Sequence, residues 1–188
     1  MTPLDGAPRT IVAPRVVLRA FSAHDAEAFD ALVMSSIEHL LPWEPWAADE
    51  PHPLEQRRRD LADLAHQLAA GIAAHYAIER LADGALLGSA ALVTGASQDR
   101  IELGYWLGVA HLGQGYATEA SAALTAVALD RLRLPRVELW ADTRNLPSNG
   151  VAQRLGYQLV GTEPSYREHP GEVPLMNVWV AEPGWRVP

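Results

Sequence analysis

Residues 107 to 120 set two spaced glycines, Gly113 and Gly115, between an apolar stretch and an alanine-rich one. The chemistry this spacing suits is the holding of an anion. Glycines let the backbone turn tightly and approach a ligand without Cβ interference, and a helix starting near Tyr116 would offer unpaired N–H groups and the positive end of its dipole. A pyrophosphate is the anion expected there. A strand-to-helix turn whose glycines serve only packing has the same spacing. Just upstream, Glu102 sits in Ile101-Glu102-Leu103-Gly104-Tyr105-Trp106, a run otherwise apolar enough to be interior. A carboxylate in such a place must reach water or do work. Further back, Pro42, Pro45, Pro51 and Pro53 bound Trp43 and Trp46. So many prolines exclude a regular helix or central strand and leave a rigid aromatic loop. Its indole faces either join the core or receive a cationic amine.

The elements that must position these residues follow from periodicity. Residues 16–19 read as a strand. Ser22 with Asp25 three places on opens a helix to about Ser36 that buries Phe29, Leu32 and Val33. Leu54, Leu61, Leu64, Ala65 and Leu68 recur at helical spacing until Gly71. Residues 75–81 and 86–93 flank Ala82-Asp83-Gly84 as a hairpin, followed by a polar loop at 95–99. A strand at 100–108 feeds the glycine turn, and a helix runs from about Tyr116 to Leu132. Residues 137–141 form a strand, 148–155 a short helix, and 157–160 and 177–181 the last strands. The order βααβββαβαββ implies an α+β fold with a sheet covered by helices.

Composition narrows the function classes. A chain of 188 residues with 48% hydrophobic content fits one globular domain. There is no apolar run of membrane-spanning length and no signal-peptide pattern at the N-terminus, so a cytoplasmic protein without a membrane partner is expected. The absence of cysteine excludes disulfides, thiolate metal sites and a cysteine nucleophile. A net charge of −8 argues against a nucleic-acid surface and is congenial to a cationic substrate. The seven histidines show no ligand spacing: His66 and His75 are nine apart, and His111 precedes the glycine turn. No metal is predicted.

The turn Leu112-Gly113-Gln114-Gly115-Tyr116-Ala117 resembles the pyrophosphate loop of the GNAT acyltransferases, Gln/Arg-x-x-Gly-x-Gly/Ala, with Leu112 a departure at its first place. Asn145-Leu146-Pro147-Ser148 through Val151-Ala152 to Gly156-Tyr157 resembles the Asn-x-x-Ser-x-x-Val-Ala-x-x-x-Gly-Phe/Tyr signature of the RimJ/RimL-like branch. Leu40-Leu41-Pro42-Trp43-Glu44-Pro45-Trp46 is similar to a Leu-x-x-Trp-x-Pro-Trp segment of RimL-like proteins. The likeness spans about residues 15–181. It implies the GNAT fold, a mixed and mostly antiparallel sheet splayed between the strands at 100–108 and 136–142. It also implies acetyl-CoA as co-substrate and direct transfer of its acetyl group to a primary amine, in a peptide N-terminus or a small molecule. A homodimer is compatible with it. A non-catalytic module that binds coenzyme A or an acyl-CoA is the alternative.

On that resemblance the backbone of Leu112, Gly113, Gln114, Gly115, Tyr116 and Ala117 would hold the pyrophosphate. The amides of Trp106 and Leu107 would pair with the pantetheine arm, and a bulge near Gly104 would cause the splay. Leu107 or a neighbour would also hold the oxyanion. Glu102, at the acidic position of the family's Glu-x-Gly-Tyr strand, is the expected general base, or else only fixes the amine or pairs with Arg100 or Arg136. Where many members place an acidic tyrosine the chain has Ala152. Ser148 is therefore the expected proton donor to the thiolate, or a plain N-cap. Asn145 is expected to bond the pantetheine or form a turn, and Trp43 and Trp46 to line the acceptor entrance.

Overall fold

Two runs of small and large apolar residues, 86–94 and 101–107, are buried on both sides and become central strands. The computed structural model describes residues 2–95, 100–167 and 173–187. Among them are β1 (Thr10–Val12), β2 (Val16–Ala20), β3 (Ala74–Arg80), β4 (Leu86–Thr94), β5 (Ile101–Leu107), β6 (Val137–Asp142), β7 (Gln158–Pro164) and β8 (Leu175–Ala181). They form one sheet in the order β1-β2-β3-β4-β5-β6-β8-β7. The helices are α1 (Ala26–Met34), α2 (Ile37–Leu40), α3 (Leu54–Ala69), α4 (Tyr116–Ala126) and α5 (Leu146–Arg154). The fold is α+β, an open mixed sheet flanked by helices. Most of the expected polar loop, residues 96–99, lies outside the described residues.

Local chemistry explains the boundaries. The Ser22 N–H donates to Asp25 Oδ2 at 2.7 Å, closing the expected capping pair ahead of α1. The helix expected to reach Ser36 instead ends at Met34 and resumes for one turn as α2. Its Leu32, expected in the core, is only half-buried, whereas Phe29 and Val33 are buried. β1 was not foreseen, because three residues between prolines carry too short an alternation; it exists as the outer arm of a hairpin with β2. α4 continues through one π-turn, in which the Leu132 N–H donates to Val127 O at 2.9 Å.

Neighbouring strands are antiparallel except β5 and β6, which run parallel and share one bridged pair, Glu102 with Glu138. Beyond that pair they part. The expected bulge near Gly104 is not the cause, since β4 and β5 keep unbroken register from Gly88 opposite Leu107 to Thr94 opposite Ile101. Register shifts lie instead at Ile78/Glu79 and Leu159/Gly161. Beyond the bridged pair, indoles of the two strands pack on different neighbours. Trp106 of β5 packs edge-on to Phe29 with ring centroids 5.4 Å apart, and Trp140 of β6 packs on Tyr166 at 5.2 Å.

The sheet separates two apolar layers. On one face α4 buries Ala120, Leu124 and Ala128 with Leu103, Leu107, Val137 and Leu139. On the other, Phe21, Phe29, Val33 and Leu61 form a smaller cluster with α1 and α3, closed by Trp46 and Trp106. Burying a side chain of this size contributes roughly 1.5–3 kcal/mol. The residues of β5 thus alternate between two chemically different compartments.

Candidate active site

Gly113 has φ 71° and Gly115, the N-cap of α4, has φ 83°. Both lie in the left-handed region that L side chains enter only under strain. No side chain caps α4, and its first backbone bond runs from the Glu119 N–H to Gly115 O at 3.1 Å. The amides of Tyr116, Ala117 and Thr118 therefore precede the first helical bond and remain donors. Arg15, from the β1–β2 hairpin, lies along this turn. Its Nε donates to Glu119 Oε2 at 2.7 Å and its Nη1 to Gln114 O at 3.0 Å, with the guanidinium over the Tyr116 ring. A cation and open amides thus share one end of α4, as an anion needs. Leu112 is exposed, and Gln114 turns its amide back onto Ala110 O at 3.2 Å.

The direction of the β5 amides follows from its ladder. The Gly95 N–H donates to Arg100 O at 2.7 Å and the Gly108 N–H to Leu87 O at 2.8 Å, so even-numbered residues of β5 face β4. The Trp106 amide is thereby turned into the sheet, which corrects its expected pairing with a pantetheine arm. The amides of Tyr105 and Leu107 face the gap.

Glu102, Gly104 and Trp106 lie on the α1–α3 side of β5. Glu102 is 2% exposed, and both its oxygens are engaged: Tyr166 Oη donates to Oε2 and Arg167 Nη2 to Oε1. Burial pushes its carboxyl above the ordinary value while the Arg167 charge pulls it back. Arg100 and Arg136, the partners once expected for Glu102, turn instead to Glu138, at 3.8 and 2.7 Å. A Cβ at Gly104 would meet nothing within 4 Å, so open space separates Glu102 from Trp106. Glu44 also belongs to this face. Its Oε2 accepts from Trp46 Nε1 at 2.9 Å, and burial, opposed by that hydrogen bond and by the Arg167 charge, raises its carboxyl to about 7.

From the α4 face comes a hydroxyl pair. Tyr105 Oη donates to Ser148 Oγ at 3.0 Å, and burial pushes the phenol up to about 12, so it stays a donor at neutral pH. Asn145, not Ser148, caps α5: its Oδ1 accepts from the Ser148 N–H at 3.1 Å. Neighbouring Asn149 is a buried knot, donating to Asp142 O and Asn145 O and accepting from Asn177 and Trp179. Ala152 is fully buried.

Trp46 is half-buried against Trp106, ring centroids 5.7 Å apart, as part of the second apolar layer. Trp43 is half-buried at the turn before it. Their loop is tied to α3 by Arg57, whose Nη2 donates to Glu50 Oε1 and Oε2 at 2.7 and 2.6 Å and whose guanidinium lies over Phe29. Sequence reasoning missed Glu44 although it stood inside a motif quoted for its tryptophans. It also missed Tyr105, Arg15, Tyr166 and Arg167, whose partners lie 43 to 104 residues away. Among the described residues no group of three or more acidic or histidine side chains could hold a metal ion.

Residues 15–158 match the family model described as an acetyltransferase (GNAT) domain. The chain is 28% identical over 149 residues to "Probable N-acetyltransferase YjcK" of Bacillus subtilis, covering 78% of this chain and 82% of that one. It is 29% identical over 150 residues to "Putative ribosomal N-acetyltransferase YdaF" of the same organism, covering 76% and 77%. Mycobacterium smegmatis RimJ, solved in complex with CoA-disulfide, superposes with a TM-score of 0.83 at 24% identity over 94% of this chain and 88% of that one. The left-handed glycine turn at an uncapped helix start, beside a gap lined by free strand amides, fits acetyl-CoA on the terms of this chain's own geometry. The chain belongs to the GNAT acetyltransferase family and is an acetyl-CoA-dependent N-acetyltransferase.

Proposed function

We propose that this single-domain enzyme acetylates a primary amine by direct attack in a ternary complex. The observation carrying this reading is that Glu102, at the last bridged pair of β5 with β6, and the Tyr105–Ser148 pair lie on opposite faces of β5 where the two strands begin to part. An ammonium belongs on the carboxylate side, and a departing thiolate needs a proton from the hydroxyl side. Acetyl-CoA supplies the activated acyl group. The turn amides of residues 112–117 hold its pyrophosphate, charge-assisted bonds of this kind being worth about 1.5–3 kcal/mol each. Leu107 N–H, aimed into the gap, stabilises the oxyanion without reorganising. Asn145 fixes Ser148 by capping its helix turn. Ser148, having accepted from Tyr105, keeps its own proton free for the sulfur. Trp43 and Trp46 wall the acceptor side, where aromatic faces suit a cation.

The acceptor class we favour is a protein or peptide N-terminus, in line with the ribosomal acetyltransferase name carried by the relative YdaF. Release of free thiol from acetyl-CoA tests this. Free N-terminal peptides of ribosomal proteins should support release, with mass increase at the α-amine. Turnover confined to spermidine or an aminoglycoside would move the acceptor to small amines. Tight acetyl-CoA binding with no release from either panel would overturn the transfer reading.

A further inference from the structure

We propose that Glu44 is the group that takes the proton from the acceptor ammonium, while Glu102 positions that ammonium. This rests on the transferase reading above and goes beyond it by dividing the work between two carboxylates.

Glu102 is poorly placed to accept a proton. Tyr166 and Arg167 each engage one of its oxygens and the Arg167 charge balances its own, so the acceptor sites that remain can hold an ammonium but gain little by taking its proton. Glu44 is the less committed carboxylate on the same face. Trp46 donates to Oε2, and among the described residues Oε1 has no hydrogen-bond partner. Trp46 in turn packs on Trp106, the β5 residue beside Leu107. This chain of contacts fixes Glu44 next to the strand end that opens onto the gap. The open space at Gly104 lies between Glu102 and Trp106 on that face, leaving room for an amine.

Among the described residues, three charged or titratable groups act electrostatically on Glu44 or feel its charge: Glu102 and Tyr105 of β5 and Arg167 from the segment after β7. Burial and the neighbouring Glu102 charge raise the Glu44 carboxyl to about 7, whereas Trp46 and Arg167 oppose the rise. A base of that strength is half ionised near neutral pH and lies about one unit below the α-ammonium of a peptide, the compromise general-base catalysis favours.

The step balances as follows. The ammonium gives one proton to Glu44, and the freed amine lone pair forms the N–C bond at the thioester carbonyl. The C–S bond then breaks as the amide forms, Ser148 gives its proton to the thiolate, and the second amine proton passes through water in the gap to restore the serine hydroxyl. Glu44 returns its proton to water.

The test pairs kinetics with a spectroscopic titration. Glu44→Gln keeps an acceptor for Trp46 and should lower kcat/KM for a ribosomal-protein N-terminal peptide by about 10²–10⁴-fold at neutral pH. The loss should shrink as pH rises, and the acidic limb of the wild-type profile should vanish. Glu102→Gln should chiefly raise KM for the amine and keep that limb. In the wild-type protein the Trp46 indole N–H resonance should titrate with a midpoint near 7, whatever the fate of the variant. Retention of the acidic limb in Glu44→Gln, or a flat Trp46 resonance between pH 5 and 9, overturns the assignment. Absence of wild-type turnover with any amine would instead sink the transferase reading, and the titration of Trp46 would still stand or fall separately.

Discussion

Tyr105 donates its hydroxyl hydrogen to Ser148 Oγ at 3.0 Å across 43 residues of sequence, joining β5 to the first turn of α5 at the edge of the splayed gap. A phenol pushed up to about 12 cannot lose that proton near neutrality. The serine hydrogen is therefore the one left to leave. Ser148→Ala should lower kcat far more than it raises KM for acetyl-CoA, because a proton for the departing thiolate is needed only in the transition state. Tyr105→Phe should produce a smaller fall of the same kind, the hydroxyl remaining but less well aimed. Steady-state kinetics on both variants check this, and a rise in KM alone would reduce Ser148 to a cofactor contact.

The glycine turn makes a prediction about binding alone. Gly115 holds φ 83° within 3.2 Å of Arg15 Nη2, measured from where a Cβ would sit. Gly115→Asp adds a strained side chain and a negative charge at a site read as anion-binding, and it gives Arg15 a competing partner. Calorimetry should find acetyl-CoA binding abolished. Leu112→Ala, at an exposed residue whose backbone alone is proposed to face the ligand, should change affinity by less than about threefold, or roughly 0.6 kcal/mol.

What was legible in the sequence was what is contiguous. The strand at 101–107, the glycine turn and α4 follow one another within about thirty residues, so periodicity and two glycines sufficed to lay them out in order. The splay was foreseen but its cause was not. Bulges leave little trace in a single strand, and the rings that Trp106 and Trp140 pack against, Phe29 and Tyr166, lie well away in the sequence. The Trp106 amide was misjudged for a related reason: which of two alternate amides faces a gap is set by pairing with β4, a long-range property. Glu102 drew notice because a lone carboxylate in an apolar strand is conspicuous. Tyr166 and Arg167, which cap it, lie in an irregular polar segment 64 and 65 residues on and carry no periodic signature.

The Trp43–Trp46 loop should depend on one buried ion pair. Arg57 and Glu50 are almost wholly enclosed, with side-chain exposures of 6% and 1%. Truncating one partner leaves the other charged and unpaired in the interior, at a cost of about 3–5 kcal/mol. Arg57→Ala should therefore lower the denaturation midpoint sharply. The Trp43–Trp46 segment, tied to α3 through this pair, should loosen first, which faster proteolysis between residues 42 and 53 would reveal. A variant as stable as the parent would mean that water reaches Glu50 without cost.

Glu44 also makes stability depend on pH, with a definite sign. Its folded carboxyl is raised from 4.5 to about 7 by burial, partly opposed by Trp46 and Arg167 and reinforced by Glu102. Between those values the folded chain holds a proton that the unfolded chain has released, so this group's contribution to stability falls as pH rises through the window and levels off above about 7. At roughly 1.4 kcal/mol per unit, discounted for a half-buried side chain, the change is about 1–3 kcal/mol. Glu44→Gln removes the titration. Relative to the parent, its unfolding free energy in urea should therefore improve by that amount between pH 5 and pH 8. Asp25, held below its usual value chiefly by Arg19 against the opposing cost of burial, titrates below this window and cancels in the comparison. A difference between variant and parent that stays constant from pH 5 to pH 8 would mean that Glu44 is ionised throughout, with solvent enough to hold its charge.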